Sequence, residues 1–434
     1  MRRLYVCVAV VAAAALGIVA LGGIVGARPP AATPAAPAPA ASAPAPDPLS
    51  AAIAHAQDRL RTLPKDWQTW AALASAYVEQ ARVTADPTYY PKAEGAARRS
   101  LTLQPDGNPY GHIALGALAN ARHDFALART EALAAIVVDA YSADAYGVLA
   151  DAQTQLGNAS AATDAVQHML DLRPGLAGYA RGSYDLELRG RTGDAADLMR
   201  RALSAAVDPH DIAFCRNQLG DLAWQHGDLA GARDQYAKGL AADPTSIALR
   251  RGMARVDAAS GHVTEALSEY GDVTNRSPSL TYLIEYADLL RSAGRGSDAD
   301  AELDLAQAAQ DLFTANGGSD GLGTANLAIA RGRYADAVAA ARSEWDRRQH
   351  VDVADTLSWA LHLAGQDAQA LPYAQRVAGT GALDAGYAYH LGAIEAGLGD
   401  NAAARTALTR ALDTNPYFPG APDARALLAK VSAS

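Results

Sequence analysis

The chain has 434 residues, half of them apolar, a net charge of −10 and two cysteines. The length exceeds one ordinary compact domain, and the evenly mixed charges offer none of the basic stripe that nucleic acid would need. Cys7 and Cys215 can form neither a disulfide framework nor a zinc spacing. Ala is abundant, Phe, Met and Trp are scarce, and no β-branched run keeps strand period, a mixture suited to closely packed helices.

Arg2 and Arg3 precede an uncharged apolar stretch of 22 residues, Leu4 to Val25. A secretory apolar region runs about 7–15 residues and a membrane-spanning helix needs about 20. The length predicts an uncleaved signal anchor over 1–26, with the N-terminus in the cytoplasm and the remainder outside. The alternative is a signal peptide cleaved after Ala27, because Val25-Gly26-Ala27 is small enough, leaving a secreted or periplasmic product. Either way the body of the protein is expected to be exported. Residues 27–65 read as an Ala/Pro-rich disordered linker, its first part tending to polyproline II. It would serve as a spacer from the membrane or be an unselected leader.

From 66 to 431 the chain repeats. Gly227-Asp228, Ala232, Tyr236 and Pro244 are answered 34 residues later by Gly261-His262, Ala266, Tyr270 and Pro278. Each Gly supplies the φ > 0 residue that ends a first helix. The Ala five positions on sits where two helices cross closely, and the Pro ends the second helix. Apolar residues such as Leu222, Leu229, Tyr236 and Leu240 recur at helical spacing around them. The first repeat has Trp70, Leu73, Ala74 and Tyr77, an insertion at 86–91, and Ala93 and Ala97. Repeat two (about 109–142) carries Leu115, Gly116, Phe125 and Ala128; repeat three (143–176) carries Leu149, Gly157, Ala162 and Pro174. Repeat four (177–212) places its turn at Gly193, with Leu198 where the small Ala belongs. Repeats five and six are the clean pair, and repeat seven (281–316) stops at Asn316-Gly317-Gly318. Repeats eight to ten keep Gly332, Gly365 and Gly399 with Ala337, Ala370 and Ala404. A last amphipathic helix, 422–431, covers the open end, as solenoids require.

A period of about 34 with these residues resembles the tetratricopeptide repeat. The expected fold is an all-α helix–turn–helix solenoid, a right-handed superhelix of about ten repeats with a C-terminal capping helix. Asp355-Thr356-Leu357-Ser358-Trp359-Ala360, Tyr389-His390-Leu391-Gly392 and Asn415-Pro416-Tyr417-Phe418 also resemble anchored or exported bacterial tetratricopeptide proteins of high-GC genomes. That resemblance implies architecture and an envelope location, with no defining biochemical activity.

No Walker loop, dinucleotide fingerprint or nucleophile elbow occurs, and Asn316-Gly317-Gly318-Ser319-Asp320-Gly321 lacks the Lys of a phosphate cradle. His123, His210, His226 and His262 fall at turns and loops without metal-ligand spacing, and Cys215 reads as a small buried core residue. No cofactor and no catalytic residue is expected. In this family the first helix of each pair lines the concave face, which puts Phe214, Asn217, Asp221, Trp224, Arg251 and Arg255 there. Asn, Arg and an exposed Trp could grip an extended peptide through its backbone and one carboxylate. The opposing reading packs Trp224 between helices and spends the arginines in surface ion pairs. Tyr389 and His390, near Trp359, form a second candidate patch. The expected function is a non-catalytic scaffold or assembly factor that binds a protein or peptide in the envelope. It would also touch the membrane through its N-terminal helix, and it would not bind nucleic acid. The alternative is an enzyme or metal carrier with a site assembled across repeats.

Overall fold

A computed structural model of the protein describes residues 48–433. Among the described residues every regular element is helical. Helix α1 (Pro48–Thr62) is followed by the pairs α2 (Trp67–Thr84) and α3 (Tyr90–Leu103), α4 (Pro109–Ala121) and α5 (Phe125–Val138), and α6 (Ala143–Gln155) and α7 (Ala159–Leu172). Next come α8 (Leu176–Glu187) and α9 (Thr192–Ala205), α10 (Pro209–Gln225) and α11 (Leu229–Ala242), and α12 (Ile247–Ala259) and α13 (Val263–Arg276). The series continues with α14 (Leu280–Ser292) and α15 (Gly296–Ala315), α16 (Gly321–Ala330) and α17 (Tyr334–Arg347), and α18 (Val351–Leu363) and α19 (Asp367–Gly379). The last pair is α20 (Ala385–Gly397) and α21 (Asn401–Thr414), and α22 (Ala421–Ser432) closes the end. This is the expected right-handed tetratricopeptide-type solenoid of ten helix pairs.

The pairing is written into the turns. Gly157, Gly190, Gly227, Gly261, Gly294, Gly332, Gly365 and Gly399 all adopt left-handed φ between 70° and 85°, and His123 takes the same role at φ 60°. Five residues after each stands an alanine: Ala128, Ala162, Ala195, Ala232, Ala266, Ala299, Ala337, Ala370 and Ala404. All nine are at most 2 % exposed, because a longer side chain there would push the paired helices apart. The fourth repeat corrects the sequence reading. Its turn residue is Gly190, Gly193 lies inside α9, and Ala195, not Leu198, occupies the close-contact position. Aspartate, asparagine and serine side chains start many of the helices. Asp228 Oδ1, for example, accepts from Gly231 N at 2.8 Å and Asp400 Oδ1 from Ala403 N at 3.0 Å.

Two flanking features differ from a bare repeat array. Helix α1 lies within the stretch 27–65 read as linker, and it buries Ile53 and Leu60 in the first core cluster with Leu73 and Tyr77. The insertion at 86–91 winds into a 3-10 turn, Pro87–Tyr89, before α3 begins.

The superhelix is wound tightly enough that its turns touch. Arg122 Nε donates to the Asn316 carbonyl at 3.1 Å, across 194 residues. Arg348 Nη1 donates to Gln155 Oε1 at 2.5 Å, across 193 residues, and Asn415 Nδ2 donates to the Trp224 carbonyl at 2.8 Å, across 191. Between them Gly190 rests directly on the carbonyl of Gly381. The helix-pair turns of repeats two to five therefore meet the inter-repeat loops of repeats seven to ten. One superhelical turn spans roughly five and a half repeats, and the contacts form a continuous seam around the lumen.

The membrane-anchored reading is corrected. Among the described residues no helix is long and apolar enough to cross a membrane. The anchor over 1–26, its topology and the cleavage site near Ala27 lie outside the described residues. The resemblance to exported proteins therefore carries over to the repeats alone, and the membrane partner, the single-pass location and the extracytoplasmic display are not carried forward.

Candidate functional site

Helices α10, α12 and α14 present their first-helix faces to the lumen in register. Six residues before the three turn glycines stand Asp221, Arg255 and Asp288. Neighbouring positions bring Arg251 and Glu285 beside them, and the second helices add the hydroxyls of Tyr236 and Tyr270. Apart from Asp288, these groups form two hydrogen-bonded sets side by side. Arg251 Nε donates to Glu285 Oε2 at 2.8 Å, with a second, shorter bond from Nη2 to Oε1, and Tyr270 OH donates to Glu285 Oε2 at 3.3 Å. Arg255 Nη2 bonds Asp221 Oδ1, which also accepts from Tyr236 OH at 2.7 Å, while Asn217 Nδ2 donates to Asp221 Oδ2 at 2.8 Å. Both arginine–carboxylate pairs join residues 34 apart in sequence, one repeat. The repeat spacing itself brings each cation to its partner.

Beside these sets the lumen opens into a cavity of about 600 Å³. Its walls come from α8, α10, α12 and α14, and it is closed by the start of α20 and the segment leading into α22. The seam makes this closure possible, because Asn415 bonded to the Trp224 carbonyl holds Tyr417 and Phe418 over α10. Trp224 is nine-tenths buried, with the Arg255 guanidinium 5.1 Å from its ring centre.

Five carboxylates line the cavity: Glu187, Asp221, Glu285, Asp288 and Asp384. Burial pushes the Asp288 carboxyl up to about 8, with Glu285 adding to the effect and Arg291 opposing it. Burial likewise takes Glu187 to about 7, against the bond from Gln225, with Asp221, Asp384 and Asp352 adding repulsion. Asp384 rises to about 6 through burial, opposed by the Tyr387 amide that it caps at 3.0 Å. Tyr184 OH and Gln225 Oε1, also in the cavity wall, are buried with no hydrogen-bond partner.

Of the residues expected to bind, Asp221, Trp224, Arg251 and Arg255 line the cavity. Asn217 supports it through Asp221, and Phe214 packs away from it against the cluster of Met199, Cys215 and Leu219. Tyr389 and His390 lie in a filled core. His390 is 1 % exposed, its ring 4.1 Å from that of Trp359, and its Nδ1 lies 2.9 Å from Asp355 Oδ1. Cys215 is fully buried, and burial pushes its thiol up to about 12. Asp288 and Glu285 went unnoticed in the sequence, although the spacing that gives Asp221 and Arg255 extends one repeat to Asp288. Glu187 stands three residues before Gly190, as Trp224 does before Gly227, and was hidden by the misplaced turn of repeat four; Asp384, Tyr417 and Phe418 had no such signal, because the seam brings them in. Among the described residues no three His, Cys, Asp or Glu side chains are placed to hold a metal ion.

Fold and turns together define a tetratricopeptide-type solenoid, the architecture of interaction modules. No protein-family model matches the chain and no curated protein is similar to it. Among solved structures it is similar to a tetratricopeptide repeat protein from Parabacteroides merdae, at 17% identity over 60% of this chain and 99% of that one, TM-score 0.36. It is similar to a thermophilic TPR protein of Thermus thermophilus, at 20% identity over 44% and 98%, TM-score 0.39. Human IFIT1, solved as a dimer with PPP-AAAA, is 15% identical over 83% and 86%, TM-score 0.46. None of these is close enough to bear on function.

Proposed function

We propose that the chain is a non-catalytic binding protein that holds part of a protein or peptide partner in the lumen. The observation that carries this reading is the cavity itself. Its 600 Å³ falls within the range of built ligand sites, about 300–1,000 Å³. Its walls also combine apolar surface (Trp224, Leu289, Phe418) with oriented polar groups. A space of that size takes one or two side chains of a partner, with the rest of the segment lying along the concave face. Asp221 and Glu285 are held by arginines and by the Tyr236 and Tyr270 hydroxyls, Glu187 and Asp384 accept amide N–H groups, and the Ser292 hydroxyl in the wall donates to the Leu289 carbonyl instead of to a base.

The test fills the cavity. Ala259 lines it, so Ala259→Trp should block entry while leaving the turn at Gly261 in place. Peptides selected from a random display library on the wild-type chain are expected to lose at least tenfold in affinity on this variant. Peptides that bind both proteins equally would put the contact elsewhere, and selection that recovers none would end the reading.

A further inference from the structure

The cavity is unevenly charged, and the imbalance bears on what it holds. Three arginines stand against its five carboxylates. Arg251 is committed to Glu285 and Arg255 to Asp221. Nε of Arg255 is buried without a hydrogen-bond partner. Arg425 is exposed at the mouth and donates to the Pro416 carbonyl. That leaves Glu187, Asp288 and Asp384 with no cation of their own. Glu187 accepts only an amide N–H, from Gln225 Nε2 at 2.6 Å, and Asp384 serves as a helix cap. Asp288 makes no ion pair and no hydrogen bond among the described residues, since Arg291 on the same helix turns to Asp300 and the Ala330 carbonyl.

A second observation is independent of these charges. Gln225 Oε1 is a pure acceptor, buried in the same wall with nothing donating to it, and the Tyr184 hydroxyl, also in that wall, has no partner either. A buried acceptor left empty is costly, and what it lacks is an N–H or O–H donor. Surplus carboxylates and an empty acceptor in one wall ask for the same thing, a cation with several N–H groups. An anion would meet the three carboxylates, and the one lining arginine without a carboxylate partner among the described residues, Arg425, is exposed and bonded to the Pro416 carbonyl.

Resting on the binding reading above, we propose that the cavity takes an alkylammonium or guanidinium group, presented by a lysine or arginine side chain of the partner. Asp288 and Glu187 act as counter-ions, Gln225 Oε1 as an acceptor, and Trp224 and Tyr417 flank the aliphatic stem. The arginines expected from the sequence to grip a partner's carboxylate instead brace the wall, and the polarity of recognition is reversed.

Isothermal titration of the full-length chain tests this with three probes: an acetylated and amidated hexapeptide with two central lysines, the same peptide with two glutamates, and spermidine. The lysine peptide is expected to bind and the glutamate peptide not. Asp288→Asn should weaken the lysine peptide at least fivefold, whereas Asp197→Asn, the same charge change on exposed α9, should leave it unaltered. Equal weakening by both variants would mean general charge attraction and overturn the site. Binding of the glutamate peptide alone would overturn the cationic assignment and leave peptide binding intact. Spermidine binding with no peptide binding would keep the cationic site and end the peptide reading. Silence of all three probes, in a chain whose helical circular dichroism is unchanged, would overturn both.

Discussion

The concave wall was expected to carry two binding patches, one on α10 and α12 and one on α18 and α20, and the structure treats them in opposite ways. Both use first-helix positions counted back from a turn glycine. Asp221, Arg255 and Asp288 face open space, whereas the equivalent Trp359 is 4 % exposed and packed among His362, Tyr389 and His390. The difference is side-chain volume and what the superhelix lays over each stretch. Three polar residues on α10, α12 and α14 leave room that Tyr417 and Phe418 cover without filling. On α18 and α20 three aromatic rings occupy the same level and exclude water. A register position in a solenoid thus says where a side chain points, and the residues around it decide between pocket and core.

The largest expected effect breaks the filled side. Trp359→Ala removes a buried indole from a core that also holds Leu357, Tyr389 and Phe418, so a loss of about 3–5 kcal/mol in urea unfolding is expected. The surviving folded protein should still bind the lysine peptide, because Trp359 does not line the cavity. Loss of binding at unchanged stability would show that the two patches act as one site.

Most of the repeat fold could be read from the chain, for a local reason. A left-handed glycine and a small residue five positions later are short-range requirements, so they recur as sequence. Repeat four was misplaced because Gly190 and Gly193 both stand in the turn region, and only the choice between Ala195 and Leu198 as the close-contact residue separates them. The site was half visible. Asp221, Trp224, Arg251 and Arg255 follow from helical register. The pairing of the two arginines with Glu285 and Asp221 follows from the same 34-residue period. Asp384 and Tyr417 come from the seam, where small rotations between repeats accumulate over 191 residues, and no local pattern records that sum.

A middle-sized effect tests whether the seam is what closes the cavity. Gly190 combines φ 71° with a position where an added Cβ would collide with the Gly381 carbonyl oxygen. Gly190→Ala should therefore cost about 1–3 kcal/mol from the left-handed backbone alone, and it should push the two turns apart. Small-angle scattering is expected to show a longer particle and titration a weaker lysine peptide. Gly261→Ala, with comparable φ but open space around it, should cost stability and leave binding unchanged. If both variants behave alike, the seam contributes nothing to the site.

The smallest effect is electrostatic and has a definite sign. An Asp carboxyl titrates near 3.8 when exposed, and in the folded chain burial holds Asp288 at about 8, so between those values the native state keeps a proton that the unfolded state has lost. Stability contributed by that proton is present at low pH and disappears as pH rises through 8. Glu187 and Asp384 act in the same direction up to about 7 and about 6. On α18 and α20 the buried carboxylates have donors: Tyr387 OH bonds Asp352, and His390 lies beside Asp355. The lumen should therefore respond to pH through Asp288. Asp288→Asn is expected to approach the wild type as pH falls toward about 4 and to melt about 1–3 °C higher at pH 9, with the wild type falling more steeply between. Adding the lysine peptide at pH 9 should erase the difference, because a bound cation supplies the charge that the empty cavity lacks. A variant that melts lower than the wild type at pH 9 would mean that Asp288 is already compensated within the folded chain, and the contrast between the two patches would lose its electrostatic half.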